Sequence, residues 1–219
     1  MEMKRAVIFD MDGVIVDSEL QWIQSEASFL KEAIPNWKRE DFDRITGMSV
    51  KDLYTFLKKE FDFPYTFEEF WDRNELAGVK VYRDMVSMIP GFELLASSLK
   101  AHARIGLASS SPKRWINIVI ERFKLEALFD CVVSADDVGG VGKPSPDIYL
   151  YAANSLGVSP SKCIAIEDSS HGILSAKHAG MKTIGFRNGF NRGQDLAQSD
   201  LILNGFKEGC AEYIRGLFD

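Results

Sequence analysis

Short apolar segments alternate with amphipathic segments over most of the chain, at the spacing of βαβ units. The apolar segments predict strands at residues 6–9, 104–109, 130–135, 163–167, 182–186 and 201–203. Between them, apolar residues recur at helical spacing and predict helices over residues 92–101, 112–125, 146–156, 171–179 and 207–218. Because continuous apolar strands are typical of sheets covered on both faces, the pattern predicts an α/β fold with a parallel sheet.

The stretch between the first strand and Pro90 has a different pattern, with helical periodicity and no strand signal. It predicts helices over residues 18–34, from Ser49 to Phe61, and from a capping box at Thr66 onward to about residue 88, with residues 36–46 as a loop. The chain therefore divides into an α/β core of residues 1–16 and 90–219 and an all-helical cap of residues 17–89 inserted after the first strand. Such an insertion is expected to act as a lid over the first loop, with hinges near residues 15–18 and 88–92.

Composition narrows the possible partners. The 219 residues carry a net charge of −6 and no dense block of Lys or Arg, which argues against nucleic acid or a membrane as the partner. No apolar run reaches the roughly 18 residues of a transmembrane helix, and residues 1–9 are too short for a secretory signal. The widely spaced Cys131, Cys163 and Cys210 are interpreted as buried free thiols. We therefore expect a cytoplasmic protein, and we take it to be a monomer.

Polar residues follow several predicted strands at the point where each strand ends. They are Asp10 and Asp12 after the first strand, Ser109 after the second, Lys143 in the loop after the third, and Glu167 and Asp168 after the fourth. Because the carboxyl ends of parallel strands share one edge of the sheet, we expect these side chains to lie together where open α/β sheets bind ligands.

The residue types at this edge indicate a particular chemistry. Converging carboxylates would raise one another's pKa values unless a cation lay among them. A hard divalent cation with oxygen ligands, such as Mg²⁺, removes that conflict. The lysine, the hydroxyl and the glycine-containing loops then provide donors for a phosphate dianion. The set therefore predicts a site for Mg²⁺ and a phosphate group.

Each signal also has an ordinary structural interpretation. Ser109 could cap a helix, Lys143 could be solvated, and Asp168 or Ser169 could cap the helix that follows them. Ser111 followed by a proline likewise predicts the N-cap and first turn of helix 112–125. It is the occurrence of the signals together, in order, at successive strand ends that favours a site.

The same motifs resemble those of the haloacid-dehalogenase superfamily of phosphohydrolases, in the subgroup with a helical cap that includes β-phosphoglucomutase and sugar-phosphate phosphatases. The resemblance spans essentially the whole chain and rests on Asp10-Met11-Asp12-Gly13-Val14, Gly106-Leu107-Ala108-Ser109, Lys143-Pro144 with Pro146-Asp147, and Glu167-Asp168-Ser169. It implies a Rossmann-like core, a helical cap and phosphoryl transfer through an aspartyl phosphate.

The resemblance also implies a role for each residue. Asp10 would be the nucleophile, and Asp12 the general acid that then acts as the base for hydrolysis. Mg²⁺ would be held by the side chains of Asp10 and Asp168 and by the backbone carbonyl of Asp12. Glu167 would act through a bound water or orient Asp168. The phosphoryl oxygens would be bound by Ser109, the backbone amide of Ser110 and Lys143.

Within the family, Asp12 favours phosphoryl transfer over dehalogenation, because a halide needs no proton. β-Phosphoglucomutases resemble the chain but have a histidine at Trp22 and a cap arginine at Val50, after the loop Gly47-Met48-Ser49, so both differences favour a phosphatase. Lys51 or Arg44 could replace that arginine, which keeps the mutase open as an alternative.

Trp22 resembles the tryptophan of some hexose- and hexitol-phosphate phosphatases, so we expect a sugar or sugar-alcohol phosphate as substrate, with Trp22 and Lys51 as candidate cap residues of the substrate site. Trp22 could instead be helix core. Phosphoglycolate and nucleotides stay open as substrates. A receiver-like phospho-acceptor without turnover is an alternative of another class, but receiver domains lack an acid at the position of Asp12.

Overall fold

The structure, a computed structural model, describes residues 5–45 and 48–218. Within that part of the chain, a six-stranded parallel sheet has the strand order β3-β2-β1-β4-β5-β6. The strands are β1 Ala6–Phe9, β2 Arg104–Ser109, β3 Cys131–Ser134, β4 Cys163–Glu167, β5 Lys182–Phe186 and β6 Leu201–Leu203. The predicted α/β fold with a parallel sheet is confirmed, and β3 is shorter at both ends than expected.

The helices fall into a capping group and a core group. They are α1 Ser18–Ala33, α2 Glu40–Ile45, α3 Val50–Glu60, α4 Phe67–Lys80, a π-helical turn Val81–Met85, α5 Phe92–Lys100, α6 Lys113–Phe123, α7 Asp147–Ser155, α8 Ser170–His178 and α9 Cys210–Gly216. Everything from α1 to the π-helical turn lies between β1 and α5, as the sequence predicts for a helical insertion. None of the described helices is long and apolar enough to cross a membrane.

Both faces of the sheet are buried against apolar side chains, as continuous apolar strands require. On one face, Ile8 and Ala165 pack with Ile148 of α7. On the other, Phe9 packs edge-on against Phe92 of α5, with 5.3 Å between the ring centroids. The sheet is therefore covered on both faces, which leaves its carboxyl edge as the expected place for a ligand.

The cap leaves and rejoins the core through two adjacent chain segments. The amide of Asp17 donates to the carbonyl of Ser87 at 3.0 Å, and the amide of Ile89 donates to the carbonyl of Ile15 at 2.8 Å. Val16 also forms an antiparallel bridge with Met88. The two predicted hinge regions thus lie side by side, immediately after the loop that carries the aspartates.

Three local predictions differ from the structure. Residues 36–46 were expected to be loop, but α2 forms there because Asp41 caps the amide of Lys38 at 2.9 Å and Phe42 and Ile45 are buried. Ser111 does not cap α6, since its hydroxyl is bonded to Asp12. The helix predicted to reach residue 88 ends in the π-helical turn at Met85.

The capping box at Thr66 is confirmed. Its hydroxyl accepts from the amide of Glu69 at 3.3 Å, and the Glu69 carboxylate accepts from the amide of Thr66 at 2.8 Å. The three cysteines are free thiols. Cys163 and Cys210 are buried, but Cys131 is only partly buried, so the expectation of full burial is wrong there; burial raises the pKa of Cys131 to about 11.

Candidate active site

Lys143 is the buried centre of the predicted site. Only 2% of its surface is exposed, and its Nζ lies 2.5 Å from Asp10 Oδ1, 2.5 Å from Glu167 Oε1 and 3.1 Å from the carbonyl of Ala108. Burial alone would lower the pKa of Lys143, but the facing carboxylates raise it above its ordinary value. The carboxylates therefore favour the charged form of the ammonium, and because the side chain is buried the interpretation of Lys143 as a solvated side chain is wrong.

Three buried carboxylates surround one small volume beside this lysine. Asp10, Glu167 and Asp168 each offer an oxygen, and these oxygens lie within 4.8 Å of one another. Burial, followed by the charges of the neighbouring carboxylates, raises the pKa of Asp168 well above its ordinary value, and burial also raises that of Asp10. The single positive charge of Lys143 does not balance the negative charges of three carboxylates. An all-oxygen, strongly anionic set of this kind fits a hard divalent cation such as Mg²⁺.

Within this cluster, Glu167 is already engaged by the protein. Its Oε1 accepts from Lys143 and from the hydroxyl of Tyr149 at 2.6 Å, and its Oε2 accepts from the hydroxyl of Ser169 at 3.2 Å. A side chain held in this way is suited to positioning its neighbours. Ser169 also caps α8 by accepting from the amide of Gly172 at 3.0 Å, so the capping interpretation of that serine holds too.

Two asparagines of the loop after β5 hold Asp168. Asn188 donates to Asp168 Oδ2 at 2.9 Å and to the carbonyl of Gly13 at 3.1 Å. Asn191, which is fully buried, donates to the backbone carbonyl of Asp168 at 2.7 Å. Sequence analysis missed both residues. The signal available was weak, since an Asn-Gly-Phe-Asn segment after a strand is ordinary loop composition.

Asp12 lies in a different environment from Asp10, although only one residue separates them. Its Oδ1 accepts from Ser18 at 2.6 Å and Tyr82 at 2.7 Å, and its Oδ2 accepts from Ser111 at 2.8 Å, with Ser109 at 3.5 Å. All these donors are hydroxyls, and the side chain of Asp12 is not in the acidic cluster. Ser18, Tyr82 and Ser111 were not predicted as partners of Asp12; for Tyr82 and Ser111 the contact depends on long-range packing.

The predicted phosphate-binding serines are Ser109, the last residue of β2, and Ser110, which follows it. Ser109 is buried and its hydroxyl accepts from the amide of Ser111 at 3.0 Å, so it organises the turn before α6 but does not cap that helix. The hydroxyl of Ser110 is buried on the wall of a cavity and has no hydrogen-bond partner among the described residues. Because an unpaired buried hydroxyl is costly, this atom is well placed to bind a ligand oxygen.

That cavity lies between the core edge and the cap, with a volume of about 150 Å³. Its floor includes Asp10, Asp12 and Asp168, and its roof is mostly apolar. The apolar lining is Trp22, Ile23, Phe42, Ile45, Met48, Val50, Leu53 and Trp115. None of the described lining residues is a lysine or an arginine.

The cap residues predicted to contact substrate do not all lie at the cavity. Trp22 lines the cavity, whereas Lys51 is exposed and lies against Gly140 outside it. Arg44 is bound to Asp41 at 3.2 Å and Glu60 at 2.9 Å within the cap. Gly47 lies outside the described residues. Neither cation takes the place of a cap arginine in this cavity.

The cap is seated on the core by contacts on both sides of the cavity. The amide of Gly142 donates to Asp52 at 3.0 Å, and the hydroxyl of Ser49 lies 3.2 Å from the carbonyl of Gly140. On the other side, the indole of Trp115 donates to Glu75 at 2.9 Å. The cavity is therefore assembled from both parts of the chain.

Known proteins match this chain over most of its length. A profile of the haloacid dehalogenase-like hydrolases matches residues 7–186. A phosphorylated carbohydrates phosphatase of Thermotoga maritima is 30% identical over 199 residues, covering 90% of this chain and 92% of the relative. A beta-phosphoglucomutase of Bacillus subtilis is 33% identical over 215 residues, covering 91% and 88%. The crystal structure of beta-phosphoglucomutase from Clostridium difficile matches with a TM-score of 0.80 and 28% identity, over 99% of this chain and 97% of that one.

Proposed function

The chain belongs to the haloacid dehalogenase-like hydrolases, and on that premise we propose that it is a Mg²⁺-dependent phosphatase of a small, otherwise uncharged phosphate monoester, a sugar or sugar-alcohol phosphate. The observation that carries the proposal is the division of labour between two aspartates. Asp10 faces Lys143 and the acidic cluster, whereas Asp12 faces hydroxyls at the cavity wall. Such a contrast suits a nucleophile and a separate acid–base group.

The first half of the reaction forms a covalent intermediate. A carboxylate oxygen of Asp10 attacks phosphorus, the bond from phosphorus to the leaving oxygen breaks, and Asp12 gives its proton to that oxygen. In the second half, Asp12 takes a proton from water as the water oxygen attacks the aspartyl phosphate. The bond between phosphorus and Asp10 then breaks and releases inorganic phosphate.

The residues around Asp10 stabilise the transferring group. Mg²⁺ held by Asp10, Asp168 and the backbone carbonyl of Asp12 would screen the negative charge of the phosphoryl group. Lys143 would bind a phosphoryl oxygen and keep Glu167 in place, and Ser109 and Ser110 would donate to the others. The unpaired hydroxyl of Ser110 supports this role.

The cavity supports a substrate with no second charge. A phosphoglycolate carboxylate or a second phosphate would be buried without a cationic partner among the described lining residues, which is strongly unfavourable. The faces of Trp22 and Trp115 offer apolar surface for a sugar ring. The proposal also includes a cytoplasmic monomer, in keeping with the free thiols.

Turnover tests the proposal directly. We expect phosphate release from p-nitrophenyl phosphate and from a panel of sugar and sugar-alcohol phosphates, dependent on Mg²⁺ and lost in Asp10→Asn. Asp12→Ala should lower turnover at least about a hundredfold. Stoichiometric phosphorylation without release would instead indicate a receiver-like acceptor.

The mutase is the second candidate, because a beta-phosphoglucomutase is among the relatives. Incubation of β-glucose 1-phosphate with a trace of the 1,6-bisphosphate separates the two activities. We expect inorganic phosphate to appear. Accumulation of glucose 6-phosphate would decide for the mutase.

A further inference from the structure

Tyr82, at the junction where the cap returns to the core, touches the proposed acid–base group. We propose that Tyr82 is a positioning residue for Asp12 and that Trp22 fixes its direction, through a hydrogen-bond chain from Trp22 Nε1 to the Tyr82 hydroxyl to Asp12 Oδ1. This inference rests on the proposed function of Asp12. It gives Trp22 a task beyond lining the cavity.

The polarity of the chain follows from the chemistry of its members. An indole N–H can only donate, so the Tyr82 oxygen accepts from Trp22 at 3.0 Å. The Tyr82 proton then has two acceptors within reach, Asp12 at 2.7 Å and the hydroxyl of Ser111 at 3.3 Å. The carboxylate is both nearer and the stronger acceptor. Tyr82 therefore donates to Asp12 in the arrangement that the indole imposes.

The position of Tyr82 is fixed by burial and packing. It is 1% exposed, and its ring packs against those of Trp22 and Trp115, with centroid distances of 6.0 and 5.6 Å. Its backbone carbonyl accepts from Arg122 of α6 at 2.9 Å. Burial, and then the charge of Asp12, raise the pKa of Tyr82 well above its ordinary value, so the phenol keeps its proton. Burial and packing thus hold the donor beside Asp12.

Tyr82, Trp22 and Ser18 all belong to the cap or its junctions, whereas Ser111 belongs to the core. The carboxylate of Asp12 is consequently held from both sides at once. Its orientation for proton transfer depends on the cap being seated on the core. Of the cap-side donors, Ser18 is close to Asp12 in sequence and Tyr82 is distant. Only the hydroxyl of Tyr82, of these two, accepts a hydrogen bond from Trp22.

Removal of one hydroxyl tests this assignment. In Tyr82→Phe we expect kcat for a hydrolysed sugar phosphate to fall about tenfold while KM changes less than about twofold, since orientation of an acid–base group affects turnover rather than binding. Tyr54→Phe is the matched control, because it removes a cap hydroxyl whose one partner among the described residues is the carbonyl of Tyr65, at 3.3 Å. It should leave both constants unchanged.

The leaving group gives a second readout. With p-nitrophenyl phosphate, departure needs no proton, so Tyr82→Phe should keep a stoichiometric burst of nitrophenolate while steady turnover falls, because Asp12 must still accept a proton from water. Loss of burst and turnover together, or a rise in KM with unchanged kcat, would mean that the hydroxyl only supports the fold of the site.

A double-mutant cycle tests the role of Trp22. Trp22→Phe should lower kcat in the wild-type background but lower it little further in the Tyr82→Phe background, because the indole N–H of Trp22 acts through the hydroxyl of Tyr82. An equal loss of kcat in both backgrounds would overturn the proposed hydrogen-bond chain and leave Trp22 as a direct substrate contact. Wild-type protein without phosphatase activity would defeat the proposed function itself, whereas an active wild type with a fully active Tyr82→Phe defeats this inference alone.

Discussion

At the scale of single residues, the main feature is a lysine buried among acids. Lys143 is enclosed by Asp10 and Glu167, and each of the three is almost wholly buried. Taking such charges out of water costs several kcal/mol each, so each depends on the others. The arrangement holds the side chain of Asp10, the proposed nucleophile, in place.

Replacement of Lys143 should therefore destabilise the fold as well as abolish catalysis. We expect Lys143→Met to lower the free energy of unfolding by about 3–5 kcal/mol, because it leaves buried carboxylates uncompensated. Urea denaturation measures this. Lys113→Met is the control, since Lys113 pairs with Asp137 at the surface and should cost at most about 1 kcal/mol. If both variants lose the same amount, the buried cluster is not the cause.

The raised pKa of Asp168 predicts a pH dependence of stability in the metal-free protein. A carboxyl whose pKa is higher in the folded than in the unfolded state takes up a proton on folding, so stability falls as pH rises from about 4 through the raised pKa. Without metal, unfolding measured from about pH 5 to 8 should show a steeper loss for the wild type than for Asp168→Asn. Saturating Mg²⁺ should flatten the wild-type curve. Parallel curves for the two metal-free proteins would contradict the prediction.

Residues that follow strands could be predicted from the sequence, because a strand's end fixes where its next side chains go. Asp10 and Asp168 directly follow β1 and β4, and Ser109 is the last residue of β2. Tyr82 and Asn188 could not, since they reach the site from segments whose placement depends on how the cap and the last loops pack. Ser111 carried a capping signal that tertiary contacts overrode.

At the scale of elements, the start of α3 meets the loop that leads into Lys143. A methyl group on Gly142 would lie 2.5 Å from Asp52 Oδ2 and 2.9 Å from Ser49 Cβ, although the backbone of Gly142 is not left-handed. Alanine there is therefore compatible with the loop itself and incompatible with the seated cap. The contact is a selective probe of cap closure.

Gly142→Ala should raise KM about tenfold and increase cleavage of the cap junctions by protease, because the seated state becomes less populated. Steady-state kinetics and limited proteolysis measure the two effects. Gly216→Ala is the control, since, outside the backbone of its own helix and its two neighbours, no atom of the described residues lies within 4 Å of the methyl group it would add. Unchanged KM and protease resistance in Gly142→Ala would show that this contact does not govern closure.

The sheet was the most predictable element, since its apolar runs leave little choice of structure. The short helix α2 and the π-helical turn were not predictable, because a single turn of helix depends on the packing of Phe42 and Ile45 or on neighbouring segments more than on local sequence.

At the scale of the whole molecule, core and cap together determine which substrate fits. The core supplies the proposed phosphate-binding edge, and the cap supplies an apolar roof in which no described lining residue is cationic. The proposed selectivity for substrates with one charged group would therefore depend on the assembled cavity rather than on either part alone.

A cation placed in that roof should change the preference. We expect Val50→Arg to increase kcat/KM for a bisphosphate or phosphoglycolate relative to a neutral sugar phosphate by about tenfold or more, since a buried anion gains a partner. Val50→Met, which adds length without charge, is the control. Competition assays with paired substrates measure the ratio. An equal change of the ratio in both variants would show that cavity volume and not charge sets the preference.

The adjacent crossings at Val16 and Met88 have a consequence for how such a protein can be altered. Because the insertion begins and ends at one bridged pair, the helical segment is a module that can be exchanged without cutting the sheet. An exchange of the helical segment would have to preserve the contacts of Asp12, however. Asp12 receives hydrogen bonds from Ser18 and Tyr82, so a transplanted module must bring equivalent hydroxyl donors or the chimera will bind its new substrate and turn it over slowly.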